Sequence, residues 1–310
     1  MNNKINFVFW GTPDVASETL EILKENGFMP SLIITSPDKP QGRKMVITPP
    51  PVKVWAIENK ISYLQPEILS GKDSTFIGSL SVPTGTALPL GSSACETPAK
   101  SKSLPDLFLV VAYGKIIPED ILNIPKLGSI NIHYSLLPKY RGASPVESAI
   151  LNGDTETGIS IQKMEYKMDT GPIIAQEKVE IGPDEKAPEL RKRLIKIGGE
   201  LLVKTLPDFI DGKTKLIPQS ENEATYCKKI KKEDGLVDLE ALPPSELYNK
   251  FRAYATWPRT FFFKPARNAS HSDAGGNGKR IIITDAKLEN GEFKILKIIP
   301  EGGKETKYEG

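Results

Sequence analysis

The stretch Asn131-Ile132-His133-Tyr134-Ser135-Leu136-Leu137-Pro138 holds the side chains of this sequence best suited to chemistry. Asn131 and His133 are two positions apart, so on a strand both side chains leave the same face. An amide and an imidazole on one face can grip a carbonyl oxygen and move a proton. A structural histidine at a strand end satisfies the same spacing, and the spacing alone does not separate the two readings. A third polar group stands downstream, Asp169 in Met168-Asp169-Thr170-Gly171. A carboxylate near an imidazole fixes its tautomer and favours its protonated form. Asp-Thr-Gly is by itself also an ordinary turn sequence.

Such groups need rigid elements to hold them. The run Asp106–Ala112 is apolar at nearly every position, as a parallel strand covered on both faces should be, and Ser129–His133 reads as the next strand. Upstream, Ile5–Trp10 reads as a buried strand. Gly11-Thr12-Pro13 then opens a helix, with Thr12 at the N-cap and Pro13 at the first helical position. Val15, Leu20 and Leu23 approximate one helical face, and Gly27 ends it. A strand at Leu32–Thr35, a long loop at Ser36–Pro51 with five prolines and a helix over Val52–Asn59 follow. Ser144-Pro145 repeats the cap-plus-proline start for a helix to about Leu151. This alternation predicts an α/β fold with an open, mostly parallel Rossmann-like sheet. Ligands of such sheets gather at the C-terminal ends of strands, here Val111–Gly114. Two strands near Ile159–Met164 and Ile173–Ile181 read as a hairpin around Asp169-Thr170-Gly171. Leu190, Leu194, Ile197 and Leu201 recur at helical spacing in a helix from Pro188 to Ile210, which Gly198-Gly199 weakens locally.

The length suits one large or two ordinary domains. We expect a catalytic domain over residues 1–212 and a smaller domain over 213–310. In the latter, short β-like runs around one helix (Ser245–Tyr254) suggest a small barrel. The part after Gly212 is mildly basic, which fits a polyanion partner without requiring one. Residues 71–103 are rich in Ser, Thr, Pro and Gly and show no period, so they read as a mobile insertion; residues 267–279 read as a flexible hairpin tip holding His271. With 39% apolar and 26% charged residues the chain has the composition of a soluble globular protein. No apolar run approaches the roughly 18 residues that span a bilayer, so no membrane partner is expected. The N-terminus has no signal-peptide layout. Cys95 and Cys227 form neither a disulfide framework nor zinc spacing, so a cytoplasmic, metal-free protein is expected.

Gly11-Thr12-Pro13, the loop Pro37-Asp38-Lys39-Pro40-Gln41-Gly42-Arg43, Val110–Gly114, Asn131-x-His133 with Ser135–Pro138, Arg141-Gly142 and Asp169-Thr170-Gly171 occur in order. Together they resemble the methionyl-tRNA formyltransferase family, from residue 4 to about residue 264, and Trp257-Pro258 after the C-terminal helix fits the same family. The resemblance implies transfer of a formyl group from 10-formyltetrahydrofolate to the α-amino group of methionine on initiator tRNA. It implies a catalytic set of Asn131, His133 and Asp169. Asn131 would donate a hydrogen bond to the formyl oxygen. His133 would stabilise that oxygen and shuttle a proton from the amine to N10 of the folate. Asp169 would orient His133. The folate site would take Ser135, Leu136, Leu137 and Pro138 on one wall, with Val111, Tyr113 and Gly114 at the strand end. Leu136 and Leu137 are either an apolar shelf for the pterin or plain core. Lys39, Arg43 and Lys44 would meet phosphates of the tRNA acceptor arm, and the second domain would be an OB-like tRNA-binding barrel. Lys228, Lys229, Lys231 and Lys232 form a second basic cluster, a solvated face or a guide for tRNA. A monomer is the expected working form. Tyr134 stands where the family usually has glycine, and its ring is expected to narrow the entrance beside His133 or to stack on substrate.

Three other readings use the same residues. A formyltransferase of the same core could act on a small amine such as a nucleotide-linked amino sugar, which the Gly-Thr-Pro start and basic loop argue against. A non-catalytic Rossmann domain fused to an RNA-binding module would need a glycine spacing that Gly11-Thr12-Pro13 lacks. A folate hydrolase would release free formate without an acceptor.

Overall fold

Strand β1 (Phe7–Gly11) has no exposed residue, because both of its faces are covered. The computed structural model describes residues 5–42, 44–70, 76, 78, 80, 103–264 and 278–309. The strands that follow are β2 (Leu32–Ile34), β3 (Lys39–Gln41), β4 (Val46–Thr48), β5 (Tyr63–Leu64), β6 (Leu107–Val111), β7 (Ser129–His133), β8 (Arg141–Gly142), β9 (Glu156–Lys163) and β10 (Ile173–Glu180). Seven of them form one sheet in the order β10-β9-β7-β6-β1-β2-β5. The β1, β2, β5, β6 and β7 pairings are parallel, and β9 joins β7 antiparallel. The chain runs from β1 to β2 on one side and returns to β6 on the other. The β1/β6 boundary is thus a topological switch point, where open α/β sheets bind ligands. One sheet face packs Val8, Trp10, Leu32, Ile34, Phe108 and Val110 against Tyr113, Ile117, Ile121 and Leu122.

The helices are α1 (Asp14–Glu25), α2 (Pro51–Glu58), α3 (Glu119–Leu122), α4 (Pro145–Leu151), α5 (Ala187–Ile210) and α6 (Pro244–Ala253). Contacts divide the chain into two compact units. One comprises Met1–Pro138, Ile159–Glu177 and Ile195–Glu223; the other comprises Lys139–Gly158, Lys178–Leu194 and Ala224–Gly310. In the second unit β11 (Tyr226–Cys227) pairs in parallel with β8. There β12 (Phe261–Lys264), β13 (Lys279–Glu289), β14 (Glu292–Pro300) and β15 (Thr306–Lys307) make a four-stranded antiparallel sheet. Leu247 and Phe251 of α6 bury themselves against Phe262, Ile281, Ile283 and Ile298 of that sheet, whose β13 and β14 run 11 and 9 residues, longer than the short strands expected of this part.

Sequence expectations change at several points. Thr12 does not cap α1. Pro13 occupies the N-cap, and the Thr12 hydroxyl donates to the Tyr113 carbonyl (2.9 Å) and lies 3.1 Å from Ser36 Oγ, tying together the loops after β1, β2 and β6. The supposed loop at 36–51 contains the β3–β4 hairpin, register Lys39↔Thr48 to Gln41↔Val46. Pro40 fits there because each strand of a two-stranded ribbon keeps one free edge. Part of the supposed insertion is core: Phe76 and Leu80 are helical and buried, and Phe76 meets Trp10 edge-on at 6.3 Å. Small polar neighbours hid that pair. Residues 71–75, 77, 79, 81–102 and 265–277, with Cys95 and His271, lie outside the described residues.

Gly198-Gly199 weakens α5 less than it serves packing. A Cβ at Gly199 would lie 2.6 Å from Cδ1 and 3.2 Å from Cβ of Ile22 in α1, whereas one at Gly198 would make only ordinary contacts of 3.4–3.5 Å. Gly198→Ala is therefore expected to be neutral or to stabilise by up to about 1 kcal/mol, the helix-propensity gain. Gly199→Ala is expected to destabilise by about 1–3 kcal/mol through overpacking. Thermal unfolding of the two variants checks the contrast; equal melting temperatures would contradict it.

Candidate active site

β7 carries Asn131 and His133 between two neighbours, β6 (Val110↔Asn131) and β9 (Asn131↔Gln162, His133↔Ser160). Ile130 and Ile132 take the opposite face and are buried. Ile132 lies against Gly198 of α5, and so does the Tyr134 ring, 3.5 Å from the Cβ position there. Tyr134 thus turns to the α5 face and not to the face of His133. The expected narrowing beside His133 is absent, because strand alternation sends consecutive side chains to opposite sides.

The turn between β9 and β10 brings Asp169 to His133. Asp169 sits in the left-handed region (φ 55°), which aspartate tolerates better than most residues. Its Oδ2 lies 3.6 Å from His133 Nδ1, and both side chains are nearly buried. That separation suits an ion pair with a protonated imidazole and is too long for a direct hydrogen bond. Its Oδ1 accepts a hydrogen bond from Gln162 Nε2 at 2.8 Å. Gln219 Nε2 donates to the carbonyls of Asp169 (2.9 Å) and Gly171 (2.7 Å). Asn131 is half-buried on β7. The pair His133–Asp169 is therefore assembled at the C-terminal end of the sheet, with Asn131 beside it in register with Gln162.

The segment after β7 is held by side chains of β9 and β10. Ser160 Oγ donates to the Ser135 carbonyl (2.6 Å) and accepts from the Leu137 amide (2.9 Å); Gln176 Nε2 donates to the Leu137 carbonyl and to Ser160 Oγ, both at 2.8 Å. Ser135 and Leu137 are buried, Leu136 and Pro138 half-buried, and the Leu137–Pro138 peptide is cis. Leu137 is core, which leaves Leu136 and Pro138 as the apolar surface. At the end of β6, Val111 is fully buried, while Ala112 (φ 46°) and Gly114 (φ 81°) are exposed in left-handed conformations. Tyr113 is buried edge-on to Trp10 at 5.2 Å. Its hydroxyl and the Trp10 Nε1 have no hydrogen-bond partner among the described residues, and burial pushes the phenol up to about 12.

Lys39 and Lys44 are exposed on the β3–β4 hairpin, whose Met45, Val46 and Ile47 are also exposed; Arg43 lies outside the described residues. The hairpin base is anchored by Asp38, which accepts from Gln65 (2.7 Å) and pairs with Lys53 (2.8 Å). The Gln65 hydrogen bond, then the Lys53 ammonium, hold the Asp38 carboxyl below its ordinary value. Lys228, Lys229, Lys231 and Lys232 are exposed after β11. Arg141-Gly142 is structural: Arg141 is buried, and a Cβ at Gly142 would lie 2.1 Å from the Cys227 carbonyl oxygen. Among the described residues no three His, Cys, Asp or Glu side chains group as metal ligands, and no helix is long and apolar enough to cross a membrane.

Gln162, Gln176, Ser160 and Gln219 did not emerge from the sequence. Ser160 and Gln162 gave a weak signal, two polar residues at alternate positions in a strand whose other face is Ile159 and Ile161. Gln219 gave none, since its contact joins segments about 50 residues apart.

The formyl transferase family model matches residues 3–206, and that of the formyl transferase C-terminal domain matches residues 229–305. The methionyl-tRNA formyltransferase of Caldicellulosiruptor saccharolyticus is 38% identical, over 97% of this chain and 94% of its own length. That of Thermotoga maritima is 39% identical over 82% and 74%. Two solved structures share the fold. An N-formyltransferase of Helicobacter canadensis, in complex with folinic acid and dTDP-3-aminofucose, superposes with a TM-score of 0.64 at 18% identity over 98% of this chain and 100% of that one. The methionyl-tRNA formyltransferase of Clostridium thermocellum gives 0.55 at 17% over 99% and 100%. With both family domains in order and more than a third of positions shared along nearly the full length of a relative, this chain belongs to the methionyl-tRNA formyltransferase family.

Proposed function

We propose that the chain transfers a formyl group from 10-formyltetrahydrofolate to the α-amino group of methionine on initiator tRNA, with Asn131, His133 and Asp169 as its catalytic residues. The observation that carries this reading is the approach of Asp169 Oδ2 to His133 Nδ1 on the strand that also presents Asn131. The folate supplies the formyl group. Exposed Ala112 and Gly114 beside half-buried Leu136 and Pro138, on loops after two adjacent parallel strands, fit a flat heteroaromatic ligand with polar edges. Ser135 and Leu137 hold that wall from behind, and Val111 and Tyr113 hold the strand end.

The reaction makes three demands: a neutral attacking amine, stabilised negative charge on the formyl oxygen and a proton for the departing nitrogen. Asn131 Nδ2 donates to the formyl oxygen. His133, held beside Asp169, stabilises the charge growing on that oxygen and passes a proton from the attacking amine to the leaving nitrogen. Asp169 keeps the imidazole oriented through Nδ1, leaving Nε2 for the substrate. We assign residues 1–212 to catalysis and 213–310, as an OB-like module, to tRNA, supported by the two family domains. Incubation with 10-formyltetrahydrofolate and charged initiator tRNA, scored for formyl-methionine, tests the reading. Formylation of a nucleotide-linked amino sugar in its place, or formate release without acceptor, would overturn it.

Lys39, Arg43 and Lys44 are assigned to the acceptor arm. Lys39→Ala and Lys44→Ala are each expected to raise KM for tRNA while kcat stays, and to lower the salt slope of binding by about 1 per phosphate contact. An unchanged slope removes that lysine from the footprint. Asp38→Asn, which breaks the hairpin's anchor, is expected to raise the same KM. Because the folded carboxyl lies below its unfolded value, the anchor holds above the ordinary carboxylate range and is lost as pH falls through the lowered value.

A further inference from the structure

Asp169 has two carboxylate oxygens, and only one faces His133. The other accepts from Gln162 Nε2 at 2.8 Å, and Gln162 is 2% exposed. A buried amide that donates to a carboxylate fixes its rotation. Gln162 Oε1 in turn lies 3.5 Å from Gln219 Nε2, the atom that donates to the carbonyls of Asp169 and Gly171. Gln219 is itself held in place: Ile217, two residues earlier, exchanges two backbone hydrogen bonds with Ile173 (2.8 and 2.9 Å) at the start of β10. Gln219 also lies between the two family domains, in the stretch 207–228 that neither matches.

We propose that Gln162 and Gln219 are positioning residues for the transfer, a relay in which the inter-domain linker fixes the Asp169 turn and Gln162 sets which carboxylate oxygen meets His133. The proposal rests on the reading of Asp169 as part of the catalytic set. The linker is then a working part of the site and more than a tether.

The experiment measures formyl transfer to charged initiator tRNA by the full chain. Gln162→Met keeps the volume and removes the hydrogen bond. Its kcat is expected to fall about 10–100-fold, the worth of a hydrogen bond to a charged group, with KM for both substrates unchanged. Gln219→Ala, half-exposed and safer for folding, is expected to fall in kcat by a smaller factor in the same way. Introduced into Asp169→Ala, neither change is expected to lower kcat further, because the group they position is gone. A general packing defect would instead multiply with the loss of Asp169 and lower the melting temperature, and that result overturns the proposal. If Asp169→Ala is inactive while Gln162→Met and Gln219→Ala keep full kcat, the relay fails and the catalytic set stands. If Asp169→Ala is itself fully active, the catalytic reading fails first. Should Gln162→Met not fold, Gln219→Ala alone decides by the same criteria.

Discussion

Alanine at His133 is expected to lower kcat by about 10²–10⁴, the range for a positioned proton-transfer group, with KM for either substrate changed little. His133 is buried, and its Nδ1 lies 3.6 Å from Asp169 Oδ2. Its contribution therefore grows with charge in the transition state and is small in the ground state, where the formyl oxygen is neutral. Asn131→Ala should behave likewise at about 10²–10³, the cost of losing one donor to a developing oxyanion. Asn131→Ala should keep a near-native melting temperature, since Asn131 is only half-buried, whereas His133→Ala empties a buried position beside Asp169 and should also lower it. Steady-state kinetics against each substrate separates the outcomes. A loss confined to KM would falsify the assignment of these two groups to the chemical step.

The second large effect is expected at Gly171. A Cβ there would lie 1.7 Å from the Lys163 carbonyl oxygen and 2.9 Å from its carbon, both backbone atoms that no side-chain rotation can move. Gly171→Ala must therefore open the turn that closes through Lys163 N to Pro172 O (2.9 Å). Asp169 and the carbonyls bound by Gln219 would move with it. Overpacking of this kind costs about 1–3 kcal/mol or more, and a shift of the order of 1 Å at a reacting group costs about 10² in rate. We expect a fall in both melting temperature and kcat, in contrast to the purely kinetic loss at Asn131. A Gly171→Ala enzyme with native stability and rate would show that the turn has another way to close.

The sequence by itself determined the local and the periodic. The apolar run Asp106–Ala112 announced a covered strand, which the structure keeps over Leu107–Val111 with Ala112 exposed beyond it, and the i, i+2 spacing of Asn131 and His133 placed them on one face, since a strand's alternation is set by its backbone. The ordered motifs from Gly11 to Gly171 pointed to the family that the domain matches and the 38% identical relative show together. Only the tertiary structure decided what depends on distant segments meeting. Thr12 looked like a helix cap and instead ties the loop after β1 to Tyr113, about 100 residues away. Tyr134 looked like an obstacle at the site and packs on Gly198. Phe76 and Leu80 lay in a stretch without pattern and join the core beside Trp10. Gln162 and Gln219, which carry no motif, hold Asp169. A hydrogen-bond partner across 50 or 100 residues is chosen by sheet order and turn closure, and neither leaves a period or a spacing in the chain to be read.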